Sequence, residues 1–345
     1  MKQQLDVFSE FDQKQFCAWV KDQWGIFPEK LRREHQISGS PERSLSRAVI
    51  EDSRGDLFLV EKFAKEKYPV RHRISKTLYY LNQRGVSRAL VSERTKAGGF
   101  LPFYQGACFQ VTRFLDSTTL KRPDWISSGE MGKEMAGFLI QMKQASQGIG
   151  KKISYPPFSI KGYIYQLFRD MKANTPKVHD RYLPILSFLE TGFMDAHDSL
   201  LTRFCHGDFH PLNVIWDDGC IQAVIDWEFT GIKPDCYDAA NLVGCAGIEH
   251  PEGLAMPLVT SFIQEVKGAG IISDQGWRYF PEYILALRFA WLSEWLRKED
   301  REMLEMEATF MNILIKHMDE LREIWNIGAI DERSAYARSF DSYTT

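Results

Sequence analysis

Residues 205–228 read CHGDFHPLNVIWDDGCIQAVIDWE. Two apolar runs, Val214–Trp216 and Ile221–Ile225, flank Asp217-Asp218-Gly219, the signature of a tight hairpin. Polar groups crowd its open end. His206, Asp208, His210 and Asn213 precede the first run, and Asp226 follows the second. A hairpin here brings Asn213 and Asp226 together beside two buried strands. Burying a polar group without a partner costs about 2–7 kcal/mol. The segment therefore calls for a metal, a substrate or a hydrogen-bond network at that end.

Three chemistries compete for it. His206 and His210 stand four apart, as in helical zinc sites, but Pro211 disfavours helix at His210 and Gly207 weakens it before that. A plain polar turn, with Asp and Asn capping backbone groups, explains one such residue better than three. Phosphoryl transfer uses all three, because it needs a carboxylate to orient the attacking hydroxyl and oxygen ligands for Mg²⁺. The kinase catalytic loop runs H-x-D-x-x-x-x-N, and His206-Gly207-Asp208 through Asn213 follows it position by position. Asp226, thirteen residues after Asn213 (226 − 213), stands where the metal-binding aspartate of the next strand is expected.

The rest of the chain divides near residues 115–120. A capping box at Ser9-Glu10-Phe11-Asp12 and helical spacing of Phe16, Trp19 and Val20 predict a helix near 9–24, closed by Gly25. Runs at 44–50 and 57–63 predict a hairpin, residues 70–84 a helix ending at Gly85, and 88–92 and 107–115 further strands. Beyond Asp116 the spacing is helical at 128–144, 160–171, 183–189, 283–297 and 302–325. The expectation is α+β: residues 1–115 as a small antiparallel-sheet lobe, residues 116–345 as a larger, mainly helical lobe.

The stretch His206 to Val214, together with Val224-Ile225-Asp226-Trp227-Glu228, resembles the aminoglycoside phosphotransferase and choline kinase-like family. The resemblance spans roughly residues 30–330. It implies a protein-kinase-like bilobal fold and transfer of the γ-phosphate of ATP (or GTP), with Mg²⁺, to a small-molecule hydroxyl. It further implies Asp208 as the catalytic base, Asn213 and Asp226 as metal ligands, and His206 and Asp238 as braces of the loop. His210 and Glu228 adjoin motif positions and are candidates for supporting them. Lys62, late in the second strand run, matches the lysine that kinases aim at the nucleotide's phosphates, with Lys65 as the fallback. Ser40, in a loop holding one glycine (Gly39) and several hydroxyls, and Arg113 and Leu115, in the segment joining the lobes, complete the nucleotide contacts. Two features depart from the pattern. The helix over 70–84 holds no glutamate to pair with the lysine, and the phosphate loop is poor in glycine. A kinase-like binding protein with little turnover is the alternative those departures suggest.

Bulk properties narrow the partners. A net charge of −3 gives no footprint for nucleic acid, and no apolar run is long enough to cross a membrane. The polar N-terminus and six scattered cysteines fit reduced thiols in the cytoplasm. Only twelve positions separate Asp226 from Asp238 (238 − 226), too few to seat a peptide, so the acceptor is expected to be small. Between Glu249 and Glu323 there are 14 acidic and 8 basic residues, and Trp291 and Trp295 flank Glu294. Either feature could serve a cationic acceptor such as an amino sugar or choline, while a solvated helix face and a core tryptophan pair account for them equally, and the sequence leaves the acceptor open.

Overall fold

The computed structural model describes residues 11–39 and 43–328. Its strands, in chain order, are β1 (Pro28–Leu31), β2 (Ser46–Asp52), β3 (Leu57–Ala64), β4 (Phe103–Tyr104), β5 (Ala107–Arg113), β6 (Thr202–Cys205), β7 (Val214–Asp217), β8 (Cys220–Val224) and β9 (Gly231–Pro234). The helices are α1 (Gln13–Trp24), α2 (Tyr68–Asn82), α3 (Gly129–Ala145), α4 (Ile160–Asn174), α5 (Pro176–Glu190), α6 (Phe193–Ala196), α7 (Tyr237–Glu249), α8 (Pro257–Gly268), α9 (Asp274–Arg278), α10 (Phe280–Lys298), α11 (Arg301–Lys316) and α12 (Met318–Ile324). They form the bilobal, protein-kinase-like α+β fold, and the chain separates into two compact units.

The first unit comprises residues 1–120, 144–154 and 212–230. Its antiparallel sheet runs β1-β2-β3-β5-β4. The β2–β3 turn forms because the buried Asp52 carboxylate accepts the N–H groups of Arg54 (2.9 Å) and Asp56 (3.0 Å), while Gly55 takes a left-handed φ of 83°. Side chains alternate between the faces of a strand, so the register decides everything about this sheet. Val60 pairs with Ala48 on one side and Val111 on the other. These three, with Ile50, Phe58 and Phe109, build an apolar face that Phe16 and Val20 of α1 cover. Asp12 caps α1 by accepting the Gln15 N–H at 2.9 Å, and Gly25 ends it at φ 74°. Ser9 and Glu10 lie outside the described residues.

Two later segments belong to this unit, where the sequence suggests a single boundary at 115. Tyr80 donates to the Gln147 carbonyl (2.8 Å). The β7–β8 ribbon joins through Val224 N–H to Arg88 O (2.9 Å) and Thr118 N–H to Trp216 O (2.8 Å). Residues 88–92, expected as a strand, contribute only the single bridge Ala89–Val224.

The second unit comprises residues 121–143, 155–211 and 231–345. Its centre is α10, buried almost continuously from Phe280 to Leu292 and packed by α4, α7 and α11. Two buried ion pairs cross it: Arg288 with Glu307 (Nε–Oε2 2.9 Å) and Arg322 with Glu282 (2.6 Å). The expected helix over 302–325 is broken at His317 into α11 and α12. Gly132 of α3 lies so close to α8 that a Cβ there would stand 2.2 Å from the Leu258 carbonyl oxygen. Among the described residues no helix is long and apolar enough to cross a membrane.

Candidate active site

In the second unit, β6 pairs antiparallel with β9 and delivers the chain into His206-Gly207-Asp208. Gly207 takes φ 88°, a left-handed conformation that favours glycine. The fully buried Asp238, in the first turn of α7, accepts the backbone N–H groups of His206 (3.0 Å) and Gly207 (2.9 Å). His206 Nδ1 then accepts the Asp208 N–H at 3.2 Å, and Asn241 donates to the Phe209 carbonyl at 3.3 Å. Phe209 is fully buried and stacks on Phe138. Every turn of the loop is thereby tied to the interior, and the Asp208 side chain is left 13% exposed. His210 Nε2 lies 3.4 Å from Asp208 Oδ1, and its ring meets Trp291 edge-on.

Behind the loop sits a lysine that sequence reasoning missed. Lys143 of α3 is buried, donates to the Phe204 carbonyl (2.8 Å) and lies 3.0 Å from Cys205 Sγ and 3.6 Å from Asp238 Oδ2. Burial alone would lower its pKa, but the surrounding Cys205 and Asp238 raise it on balance. Burial and the neighbouring Asp238 push the Cys205 thiol up to about 12. Its sequence signal was poor, because a lysine in an amphipathic helix reads as solvent-facing.

In the first unit, Val214 pairs with Val224 and the Ile225 N–H bonds the Asn213 carbonyl at 3.0 Å. Asn213 and Asp226 therefore leave the same end of the ribbon. Asp226 adopts φ 67°, ψ 53°, a turn that aspartate tolerates better than most residues. Its Oδ1 lies 3.1 Å from Arg43 Nη1, and Gly39, at φ 85°, passes so near that a Cβ there would stand 3.2 Å from the same oxygen. Glu228 accepts from Arg43 (2.6 Å) and pairs with Arg71 of α2.

A cavity in this unit opens under the second face of the sheet. It is lined by Arg47, Leu59, Glu61, Gln110 and Thr112, by Arg71, Ile74 and Leu78 of α2, and by Leu115 and Asp226. Lys62 is absent from it. The residue shares the face of Phe58 and Val60, as its spacing predicts, but that is the face α1 covers, and its Nζ sits 4.8 Å over the Phe11 ring. The expected strand lysine is thus turned away from the cavity, and Glu61 lines it instead. Lys65 is exposed in the turn before α2. Arg113 lies at the cavity rim, largely exposed and paired with Asp56 at 2.9 Å, and Ser40 lies outside the described residues. Arg47 holds the loop before residue 40 by donating to the carbonyls of Ile37 (3.2 Å), Ser38 (3.0 Å) and Gly39 (3.4 Å). Burial lowers the Arg47 pKa, although Glu61 and Asp226 act the other way. Burial pushes the Glu61 carboxyl up, with Arg71 and Arg47 opposing.

Five of the 14 acidic residues between Glu249 and Glu323 are engaged by arginines. Glu249, Glu282, Glu294, Glu305 and Glu307 each pair with an arginine. Trp291 and Trp295 stack at 5.9 Å and are both half-buried.

Comparison with known proteins agrees with the fold. The family model described as the phosphotransferase enzyme family matches residues 42–280. Among solved structures, an amicoumacin kinase in complex with AMP-PNP and Ca²⁺ superposes with a TM-score of 0.60 at 13% identity, covering 91% of this chain and 95% of that one. An aminoglycoside phosphotransferase from Alicyclobacillus acidocaldarius gives 0.59 at 15% identity, covering 86% and 94%. A spectinomycin phosphotransferase in complex with ADP gives 0.56 at 13%, covering 91% and 97%. No curated protein matches the chain.

Proposed function

Because this chain belongs to the phosphotransferase enzyme family, we propose that it transfers the γ-phosphate of ATP, with Mg²⁺, to a hydroxyl of a small molecule. The observation that carries this reading is the tying of the His206–Asp208 loop to the buried Asp238 through two backbone N–H bonds. A carboxylate held this way, partly exposed and with its neighbours fixed, is suited to orient an acceptor hydroxyl and take its proton as the oxygen attacks phosphorus. His206 and Asp238 fix the loop, and His210 steadies the Asp208 carboxylate from the side.

Asn213 and Asp226 supply an amide and a carboxylate oxygen from one end of a ribbon, the hard donors that suit a magnesium ion completed by water and phosphate oxygens. Asp226 already faces a cation, the Arg43 guanidinium, which supports the fit. When bound, the metal would neutralise charge on the phosphate oxygens. Leu115 and the backbone of 112–115 line the cavity where an adenine would lie, beside Thr112 and Leu59.

The acceptor is an alcohol of natural-product or metabolite size. The relatives co-crystallised with spectinomycin and with amicoumacin place hydroxyl-bearing antibiotics in the test panel, alongside amino sugars, choline, homoserine and nucleosides. Asp208→Asn should lower turnover on the accepted substrate about 10²- to 10⁴-fold with nucleotide affinity retained. Turnover equal to wild type would remove Asp208 from its role. Nucleotide binding without turnover across the whole panel would favour a binding protein, the reading that Glu61 in place of a lysine keeps open.

A further inference from the structure

The cavity of the first unit carries no lysine, yet it is rich in arginine. Arg43, Arg47 and Arg71 all line it. Their commitments differ. Arg47 is spent on three backbone carbonyls of the loop 37–39. Arg43 sits on Asp226, the carboxylate a metal would claim. Arg71 contacts no proposed metal ligand; it stacks at 4.0 Å over the Phe63 ring and is aimed by Glu228. It lies three residues before Ile74 and seven before Leu78, on the same cavity-facing stripe of α2.

Glu61 and Gln110 line the same cavity. Glu61 is half-buried and feels the charges of Arg71 and Arg47. Its cross-strand neighbour Gln110 is 6% exposed, and its Oε1 is buried with no hydrogen bond among the described residues. A half-buried carboxylate and a buried amide lining one cavity with a guanidinium make a polar site suited to a charged ligand.

We infer that Arg71 on helix α2 is the cation that receives the nucleotide's phosphates, with Glu61 on strand β3 as its charge partner, so that the strand–helix pair of this fold is present with its charges exchanged. The inference rests on the proposed nucleotide reading of the same cavity. It accounts for the missing helix glutamate, since a helix without a glutamate needs none when the acid is on the strand. A planar guanidinium also presents two parallel donors to a phosphate, where an ammonium presents a point charge. Arg43 supplies a second cation across Glu228 once a metal occupies Asp226.

Calorimetric titration of Mg–ATP, ADP and adenosine into the intact chain tests this. Arg71→Ala should weaken Mg–ATP about ten- to hundredfold, the loss of a charged hydrogen bond. Lys62→Ala, and the affinity of Arg71→Ala for adenosine, should stay within about twofold of wild type. Glu61→Gln removes a negative charge from the phosphate side and should tighten Mg–ATP a few-fold. Should Arg71→Ala fail to fold, Arg71→Gln carries the same expectation with the side chain's length kept. Wild-type affinity in the arginine variants, or an equal loss for adenosine, overturns the inference and leaves the proposed function standing. A wild-type chain that binds no nucleotide overturns both.

Discussion

Lys233 offers a quantitative test of how the second unit is held together. It lies on β9 opposite Arg203, only 5% exposed, with Nζ 3.5 Å from the Phe158 ring centroid and 4.6 Å from that of Tyr237. No carboxylate lies within ion-pair distance among the described residues. Burial is the main cause that lowers its pKa to about 8 from 10.5, with Cys205 and Asp238 opposing. Two aromatic faces offset part of the lost hydration, but not all of it. Lys233→Met keeps a long, flexible stem in the same slot and removes the charge. A folded-state pKa about 2.5 below the unfolded value sets a ceiling of ~3 kcal/mol on the cost of holding the charged form. The sign follows from proton binding. Between pH 8 and 10.5 the unfolded chain holds the proton and the folded chain releases it, so wild-type stability gains with rising pH across that window, and the full cost applies below pH 8. The variant should therefore be more stable than wild type by ~1–3 kcal/mol at pH 7, with the gap closing as pH approaches 10.5. Paired urea unfolding curves at pH 7, 8.5, 9.5 and 10.5 measure it, and the comparison cancels every other titrating group. Equal midpoints at pH 7, or a gap that stays constant to pH 10.5, would refute the reasoning.

Other substitutions probe the remaining parts. Asp226→Asn should weaken Mg–ATP binding while leaving metal-free nucleotide affinity nearly unchanged, as read by calorimetry with and without Mg²⁺. Asp238→Ala would leave Lys143 buried without its carboxylate and two loop N–H groups unbonded. A loss of ~3–5 kcal/mol is expected, and a thermal transition unchanged from wild type would show that the anchor is dispensable. Gly132→Ala puts a Cβ against the Leu258 carbonyl; it should lower the melting temperature by several degrees, whereas Gly137→Ala, on the same helix with open space around it, should not.

The hairpin of 214–225 and the loop before it were legible in the sequence because turn chemistry and alternation are local. Asn213 and Asp226 fall at one ribbon end for the same reason. The faces of β3 were not legible. Alternation separates Lys62 from Glu61, but which face meets the cavity depends on α1, whose docking is a long-range event. Arg71 could have been found, since it continues the stripe of Ile74 and Leu78 one turn earlier, had a cation been sought where a glutamate was expected. The strand β1 escaped notice because a four-residue edge run, Pro28-Glu29-Lys30-Leu31, carries almost no apolar pattern. The break at His317 lies in a sequence whose apolar spacing continues on both sides.

Asp238 grips main-chain groups, and that choice has an evolutionary corollary. A bond to a peptide N–H is indifferent to the side chain the residue carries, so position 206 could be exchanged for another ring-nitrogen or amide acceptor without the loop losing its course. Position 207 has no such freedom, because its dihedral suits a residue lacking Cβ. Descendants of this chain could therefore explore new acceptors by varying the helices that surround the loop, while the path that presents Asp208 is inherited intact.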